Sequence, residues 1–334
     1  MASTVNLFNT GKSALFANKA ALATTGHNIA NVNTEGYSRQ RVELSASDPI
    51  KLGSSVFGSG VRLDSVGRVT DDYLNKQINQ EQKILGFSEE SDVHLKHLES
   101  IFNEVNGVGM NNLISKFFNE FRKLANEPND DALRASVRES AIQVVGDFKR
   151  INLQLDGIRH NIDARIDGYV REINGYCDQV AQLNDQVKRL ELTGGSANDI
   201  KDKRDLVLKK LSDVLDVNVA EGDRGAVQVT LAGVGTLVSG NKSNHIKAEP
   251  TPPAYDRGKE AGSLDLTLDG ATYPEITTKM KSSKVGALTT LRDGQIYNLR
   301  EKMDEMAYVL LKSVNMVHSI GYGKDGVNLS LIHI

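Results

Sequence analysis

Between Asp131 and Leu192 the apolar residues Ala141, Val144, Phe148, Ile151, Leu155, Ile158, Ile162, Ile166, Tyr169, Ile173, Tyr176, Val180, Leu183, Val187 and Leu190 follow one another at steps of three and four. That spacing lays them on one helical stripe, the seam of a coiled coil or helical bundle. The alternation breaks where Ile158, Ile162 and Ile166 lie four apart twice, a stutter that locally unwinds a supercoil. No proline falls between Pro128 and Pro250, so no imide interrupts the run. Unbroken, ~60 residues at ~1.5 Å each make a helix of roughly 90 Å. A compact globule of this chain length is only about 50 Å across. Either the helix breaks at Gly157 or Gly168, each of which costs about 1 kcal/mol against alanine, or the protein is a rod. The rod is the expectation, with a bend allowed at those glycines. A hydrophobic content of 39%, aromatics at 5% and the lack of tryptophan fit thin bundles better than a thick core. The predicted fold class is mainly α: an elongated antiparallel helical bundle or coiled coil with a small inserted β subdomain of short strands.

Taken in order, residues Ser3 to Ile29 read as a helix. Phe8, Leu15, Leu22 and Ile29 recur by sevens beside Leu7, Ala14 and Ala21, a narrow stripe that needs a partner helix to be stable. Asn28, Asn31, Asn33 and Gly36 then end the helix, since asparagine suits turns and glycine allows positive φ. An extended segment runs from Tyr37 to Leu44. The Gly/Ser-rich stretch to Thr70 reads as a loop or hairpin followed by a strand at Val61–Val66. Two helical stretches follow, Asp71–Phe87 and Ser88–Val105, then a turn at Gly107–Met110 and a helix at Asn111–Ala125. Asn129 or Asp130 is a good N-cap for the long helix. Thr193–Asp199 ends it, and a shorter helix runs to Leu215. The period then switches to two, giving short strands over Val217–Val238 with turns at Glu221–Gly225 and Ala232–Gly235. Asn241–Asp265 reads as Pro-containing loop. Short strands follow at Leu264–Leu268 and around Tyr273, and a last helical stripe covers Val285–Ile320. The expected divisions are 1–33, a terminal heptad helix; 34–85, an extended connector; 86–215, the long bundle; 216–284, the β subdomain; 285–328, a returning helix; and 329–334, an artefactual end.

The 40 basic and 43 acidic residues leave a net charge of −3, and no basic block stands out, so nothing argues for nucleic acid. No run approaches the ~20 apolar residues of a membrane span, and the N-terminus lacks a cleavable secretory signal. An organelle transit peptide is disfavoured because the first arginine is Arg39. The single cysteine, Cys177, excludes an internal disulfide and a Cys-based zinc site. It reads as a small residue beside the seam residue Tyr176.

Chemistry is sparse. Thr10-Gly11-Lys12-Ser13 has Asn6 where a phosphate-binding loop needs its first glycine, and no strand precedes it. GSSVFGSG at Gly53–Gly60 reads as a flexible turn rather than an anion cradle. His94 and His97 stand i, i+3 on a helix and could share a metal with Glu90, but solvated helix-face histidines are the favoured reading. His160, His245, His318 and His333 are scattered, and no Ser/His/carboxylate or paired-carboxylate grouping is marked out. No catalytic residue, metal or cofactor is assigned.

AALATTGHNIANVNTEGYSRQRVEL, Ala20 to Leu44, resembles the N-terminal signature of the bacterial flagellar axial proteins, the rod, hook and hook-associated family. Asn28, Ile29, Ala30, Asn31, Asn33, Thr34, Gly36 and Tyr37 carry it. Tyr37-Ser38-Arg39-Gln40 looks like the hook-associated branch. Asp202–Ser212 resembles the KRD-L element that this branch carries after its long helix, and Val285–Asp293 and Val314–Tyr322 resemble its returning helix. The resemblance runs from about Ser3 to Asn328. It implies a structural subunit, not an enzyme, exported through the flagellar secretion channel and placed at the hook–filament junction outside the cell. Implied partners are further copies in an axial tube, hook protein on one side, a second junction protein or the filament on the other, and an export chaperone that binds a C-terminal region. Phe8, Leu15, Leu22, His27, Asn28, Ile29, Asn31, Asn33, Thr34, Gly36 and Tyr37 are the implied assembly interface. A hook, distal rod or filament-type subunit is the first alternative, and an exported enzyme with a helical bundle the second. The final residues, NLSLIHI, look like nothing in the family, and a truncation after about Leu329 is the expectation. The heptad helix would then lack its partner. Amide hydrogen exchange on the isolated chain should find Met1–Asn33 weakly protected; strong protection there would contradict this.

Overall fold

The structure is a computed structural model that describes residues 2–52, 55–102, 109–222, 225–231, 233–250, 263–269 and 276–322. In order it forms α1 (Ala2–Ala30), β1 (Gln40–Ala46), β2 (Ile50–Leu52), β3 (Ser55–Phe57), β4 (Val61–Arg68), α2 (Asp72–Phe102), α3 (Met110–Asn126), α4 (Asp131–Leu192) and α5 (Asn198–Val214). Six strands follow: β5 (Val217–Glu221), β6 (Val227–Leu231), β7 (Gly235–Ser239), β8 (Lys242–Ser243), β9 (Ile246–Pro250) and β10 (Leu264–Leu268). A helical end completes it: α6 (Ser283–Thr290), a π turn (Leu291–Ile296) and α7 (Tyr297–His318). The fold is mainly α with small antiparallel sheets. Two helices expected over 71–105 are one, α2. The expected turn at Gly107–Met110 falls mostly outside the described residues, as do the strand around Tyr273 and the segment 329–334.

The long helix α4 is continuous over 62 residues and passes Gly157 and Gly168 without a break. Asp130 caps it, its carboxylate accepting from the amides of Ala132 (2.7 Å) and Leu133 (3.3 Å). Its buried line is Val144, Ile151, Leu155, Ile158, Ile162, Ile166, Val170, Ile173, Cys177, Val180, Asn184 and Val187. Of the expected seam, Ala141 and Phe148 are only half-buried, with Ser140 and Asp147 buried beside them, while Val144, Ile151, Leu155, Ile158 and Ile162 are buried as far as Ile166. Beyond it Tyr169, Tyr176 and Leu183 are only half-buried, and Val170, Cys177 and Asn184 take their places. The buried line thus keeps the ~3.6-residue period of a straight α-helix rather than the 3.5 of a coiled-coil seam. Cys177 lies in the seam, not beside it.

The contacts divide the chain into two compact units, with borders at Phe87/Ser88, Gly168/Tyr169, Lys247/Ala248, Asp265/Leu266 and Ser283/Lys284. In the unit that contains α1, strands β5-β6-β7-β8 form one antiparallel sheet. Val227, Val229 and Leu231 of β6 alternate inward. Two asparagines of α4 fasten the strands. Asn184, 1% exposed, accepts from the Val227 amide (3.0 Å) and donates to the Val227 carbonyl (2.8 Å) and the Gly240 carbonyl (2.9 Å). Asn174 bonds both backbone groups of Ile246 at 2.8 Å. Between them Asp178 accepts from the Ser243 hydroxyl at 2.5 Å and lies 2.9 Å from His245 Nε2. The expected loop over Asn241–Asp265 is thereby corrected at its start, because β8 and β9 are strands there; side-chain amides on α4 supply partners that hydropathy does not reveal.

The other unit has a small core of Phe117, Val137 and Val144, with Leu113, Ile114, Phe148, Leu310 and Val314 against it. Phe117 meets Phe118 and Phe121 edge-on, with centroids 5.3 and 5.0 Å apart. Arg292, in the π turn, is buried and donates to Asp163 (2.6 Å), Asp293 (2.7 Å) and the Leu264 carbonyl (2.8 Å). The last stripe is therefore not one regular helix: the π turn turns Leu291, Arg292 and Ile296 all inward. His94 corrects another expectation. It is buried, not solvated, with Nε2 3.2 Å from a Glu90 oxygen, and Arg165 also grips that carboxylate. Glu90 is a counter-ion here. His97 is exposed.

Burial pushes the Cys177 thiol up from 9.0 to about 12, with Asp178 adding to the effect. An unfolded chain would release this proton first, so the thiol leaves stability unchanged below pH 9 and lowers it as pH rises towards 12. Alkaline denaturation of the wild type and Cys177→Ala should show that slope in the wild type alone. Thiol reagents near neutral pH should modify Cys177 only as fast as the chain opens.

Candidate assembly site

Helix α1 presents an uncovered apolar stripe. Leu7, Phe8, Leu15, Phe16, Leu22 and Ile29 are 62–76% exposed. Each such side chain is worth roughly 1.5–3 kcal/mol when buried, and a contiguous exposed stripe of this kind marks an interaction surface. One side of α1 does pack: Ala17 is buried, and Ser13 Oγ accepts from the Val61 amide at 3.3 Å. Gly60 makes this approach possible, because a Cβ there would fall 2.3 Å from Ser13 Oγ and its φ is +101°.

The polar signature residues occupy the C-terminal end of α1, where they bind within the chain. Asn28 donates to the Gln40 carbonyl (2.9 Å) and its Oδ1 accepts from the Gln40 amide (2.9 Å) and the Tyr37 hydroxyl (2.8 Å). One side-chain amide thus stands in for a neighbouring strand at the start of β1. The Asn31 amide donates to the His27 carbonyl at 3.0 Å and faces His27 Nδ1 at 3.3 Å, and Thr34 donates to Asn31 Oδ1 at 3.2 Å. With Nδ1 accepting, neutral His27 carries its proton on Nε2, which lies 3.2 Å from Asp199 Oδ1. The Tyr37 ring meets His27 edge-on at 5.5 Å. Burial and the nearby Asp199 and Asp202 hold the Tyr37 phenol above its ordinary range, so it stays a donor. Asn33 is exposed, as is Ile29.

The far wall is α5, the helix with the KRD-L element. Asp199 accepts from the Gln40 side-chain amide at 2.6 Å. Asp202, buried, accepts from the Ser38 amide and from Arg68, both at 2.9 Å. Asp205 accepts from Arg68 at 2.7 Å. Asn198 donates to the Val66 carbonyl at 2.6 Å. Gly36, at φ +78°, lies so close to Leu206 that a Cβ would stand 3.1 Å from Leu206 Cβ. The two stretches that carried the resemblance therefore meet in space. Gln40, Asp202 and Asp205 lie in the motifs that carried the resemblance but were given no role there, and Arg68, Asn198 and Asp199 were not singled out from the sequence. Asp199, Asp202 and Asp205, three apart on one helical face, were the available signal.

The site is a mechanical fastening. Among the described residues no group of three or more His, Cys, Asp or Glu is placed to hold a metal ion, and no helix is long and apolar enough to cross a membrane. A heptad helix bare along its stripe is fastened at one end to a helical body, and the family matches of its two parts assign the chain to the flagellar axial proteins. The N-terminal residues 8–37 match the family described as flagella basal body rod protein. Residues 95–330 match the flagellar hook-associated protein FlgK helical domain, and the chain belongs to the FlgK family. It is 29% identical to flagellar hook-associated protein 1 of Bacillus subtilis, over 98% of this chain and 69% of the relative. It is 27% identical to the protein of that description in Salmonella typhimurium, over 96% of this chain and 58% of the relative. The flagellar hook junction protein FlgK of Burkholderia pseudomallei shares the fold, with a TM-score of 0.66 at 20% identity over 77% of this chain and 45% of that one.

Asn28→Ala would leave the Gln40 amide and carbonyl without their partner, at about 1–3 kcal/mol for such a buried group. Hydrogen exchange should show loss of protection at Gln40, and denaturant unfolding a loss of that size. Gly36→Ala should cost roughly 1–2 kcal/mol for its left-handed backbone, plus the displacement of Leu206. Asn33→Ala should change neither measurement.

Proposed function

We propose that this chain is a structural, non-catalytic subunit of the flagellar hook–filament junction. The uncovered stripe of α1 carries this reading. Phe8, Leu15, Leu22 and Ile29 recur by sevens, are 69–74% exposed, and lie on a helix held by its end. Further copies that supply facing helices would bury the stripe as an inner coiled-coil wall, which couples ordering to assembly. His27, Asn28, Asn31, Thr34, Gly36 and Tyr37 serve that interface indirectly, by fixing the direction in which α1 leaves the body; Asn33 is open to a neighbour. In this reading hook protein lies on one side and a second junction protein or the filament on the other; the relatives' descriptions as hook-associated support the first of these. Export through the flagellar channel and a chaperone for a C-terminal region belong to the same reading.

Leu15→Ser with Leu22→Ser removes the stripe without touching the fastening at Asn28. In a flagellated host that lacks its own hook-associated protein 1, the double variant should be exported and folded but absent from hook tips, with filaments lost. Incorporation at wild-type levels would show that the stripe is not the assembly element.

A further inference from the structure

Arg204, in the KRD-L element, is a buried charge with no counter-ion in contact among the described residues. Its side chain is 3% exposed. Nη1 donates to two neutral acceptors, Asn184 Oδ1 at 3.1 Å and the Gly225 carbonyl at 2.6 Å. Nε has no partner, and neither does Nη2 among the described residues. Burying a guanidinium without pairing it is costly. Burial pushes its pKa down and neighbouring Arg68 adds to the fall, while Asp205, Glu221 and Glu191, none of them hydrogen-bonded to it, oppose this. Arg68 itself is already matched to Asp202 and Asp205. Arg204 borders a cleft of about 380 Å³ between the start of α2, the Gly36–Ser38 turn, α5 and the sheet. The cleft is also lined by Lys76 and Lys209 and by Glu35, Asp72, Asp205 and Glu221. That mixed lining gives a multiply charged ion such as phosphate no net attraction. The planar guanidinium suits a planar carboxylate.

We propose that this cleft is a binding site for a carboxylate monoanion, which docks on the unpaired side of Arg204. The volume leaves room for the chain that bears the carboxylate, either a free small carboxylate or an Asp or Glu side chain of a neighbouring copy. The site is independent of the α1 stripe, so it stands or falls separately from the junction reading.

The test uses the full chain labelled with ¹⁵N-arginine, and reads the side-chain Nε–H resonances while sodium acetate is added against sodium chloride of equal ionic strength. The Arg204 resonance, identified by its loss in Arg204→Lys, should move saturably with acetate and stay still in chloride. Asn79→Phe fills the cleft from α2 without altering Arg204 and should abolish the acetate response. If Arg204→Lys does not fold, the one resonance that responds in the wild type and is silenced by Asn79→Phe makes the identification. Movement of the same resonance with protein concentration, reversed by acetate, assigns the carboxylate to a neighbouring copy; independence of concentration assigns it to a free ligand. No saturable movement, equal movement in chloride, or a response that survives Asn79→Phe would each overturn the proposal.

Discussion

In three places one asparagine side chain satisfies both backbone groups of a single strand residue: Asn28 with Gln40, Asn174 with Ile246, and Asn184 with Val227. A helix has no backbone groups left to pair with a strand, because its own ladder uses them. A primary amide has one donor side and one acceptor side, the complement of a peptide unit. It therefore lets a helix act as the missing neighbour of a strand end. Each unpaired buried backbone group would cost about 1–3 kcal/mol, so each junction of this kind secures its strand against fraying. The unit that contains α1 is joined by this device at both ends of its sequence, once by the helix that leads into it and twice by α4.

The apolar period was legible because volume and spacing suffice to specify it. The helices α1, α3, α4 and α5 followed from it; the N-cap, expected at Asn129 or Asp130 from residue type, falls on Asp130. What failed was the choice between adjacent residues at both ends of α4, early at Ser140 and Asp147 against Ala141 and Phe148, and again late. Tyr169 and Tyr176 scored as apolar, yet their hydroxyls keep them near the surface, while small Cys177 and hydrogen-bonded Asn184 went inside. A helix at ~3.6 residues per turn drifts about 20° per heptad from a 3.5 repeat, and the stutter at Ile158–Ile166 is where that drift was taken up. His94 was misread for a related reason: it is buried against Glu90, whose other partner, Arg165, lies 75 positions beyond Glu90 in the chain. The fastening at Asn28 was visible as a motif but not as a structure, since its partners Asp199 and Asp202 are 172 and 164 residues from His27 and Ser38. Separations of that size leave no periodic trace.

A helix with a bare apolar stripe is ordinarily marginal in water. Here its C-terminal end is nucleated from outside. Asn28 and Asn31 close the last turn, His27 reaches Asp199, and Gly36 brings the chain against Leu206. No acidic residue stands in the first turn to complement the helix dipole, and Leu7 and Phe8 face outward. The support given to α1 is therefore strongest beside the body. In the proposed assembly, a helix secured at that end leaves its stripe open until other helices arrive and presents it in a fixed direction when they do. The direction costs nothing at the moment of association, because the asparagine junction has already fixed it, and the gain from burying the stripe goes into the contact between subunits.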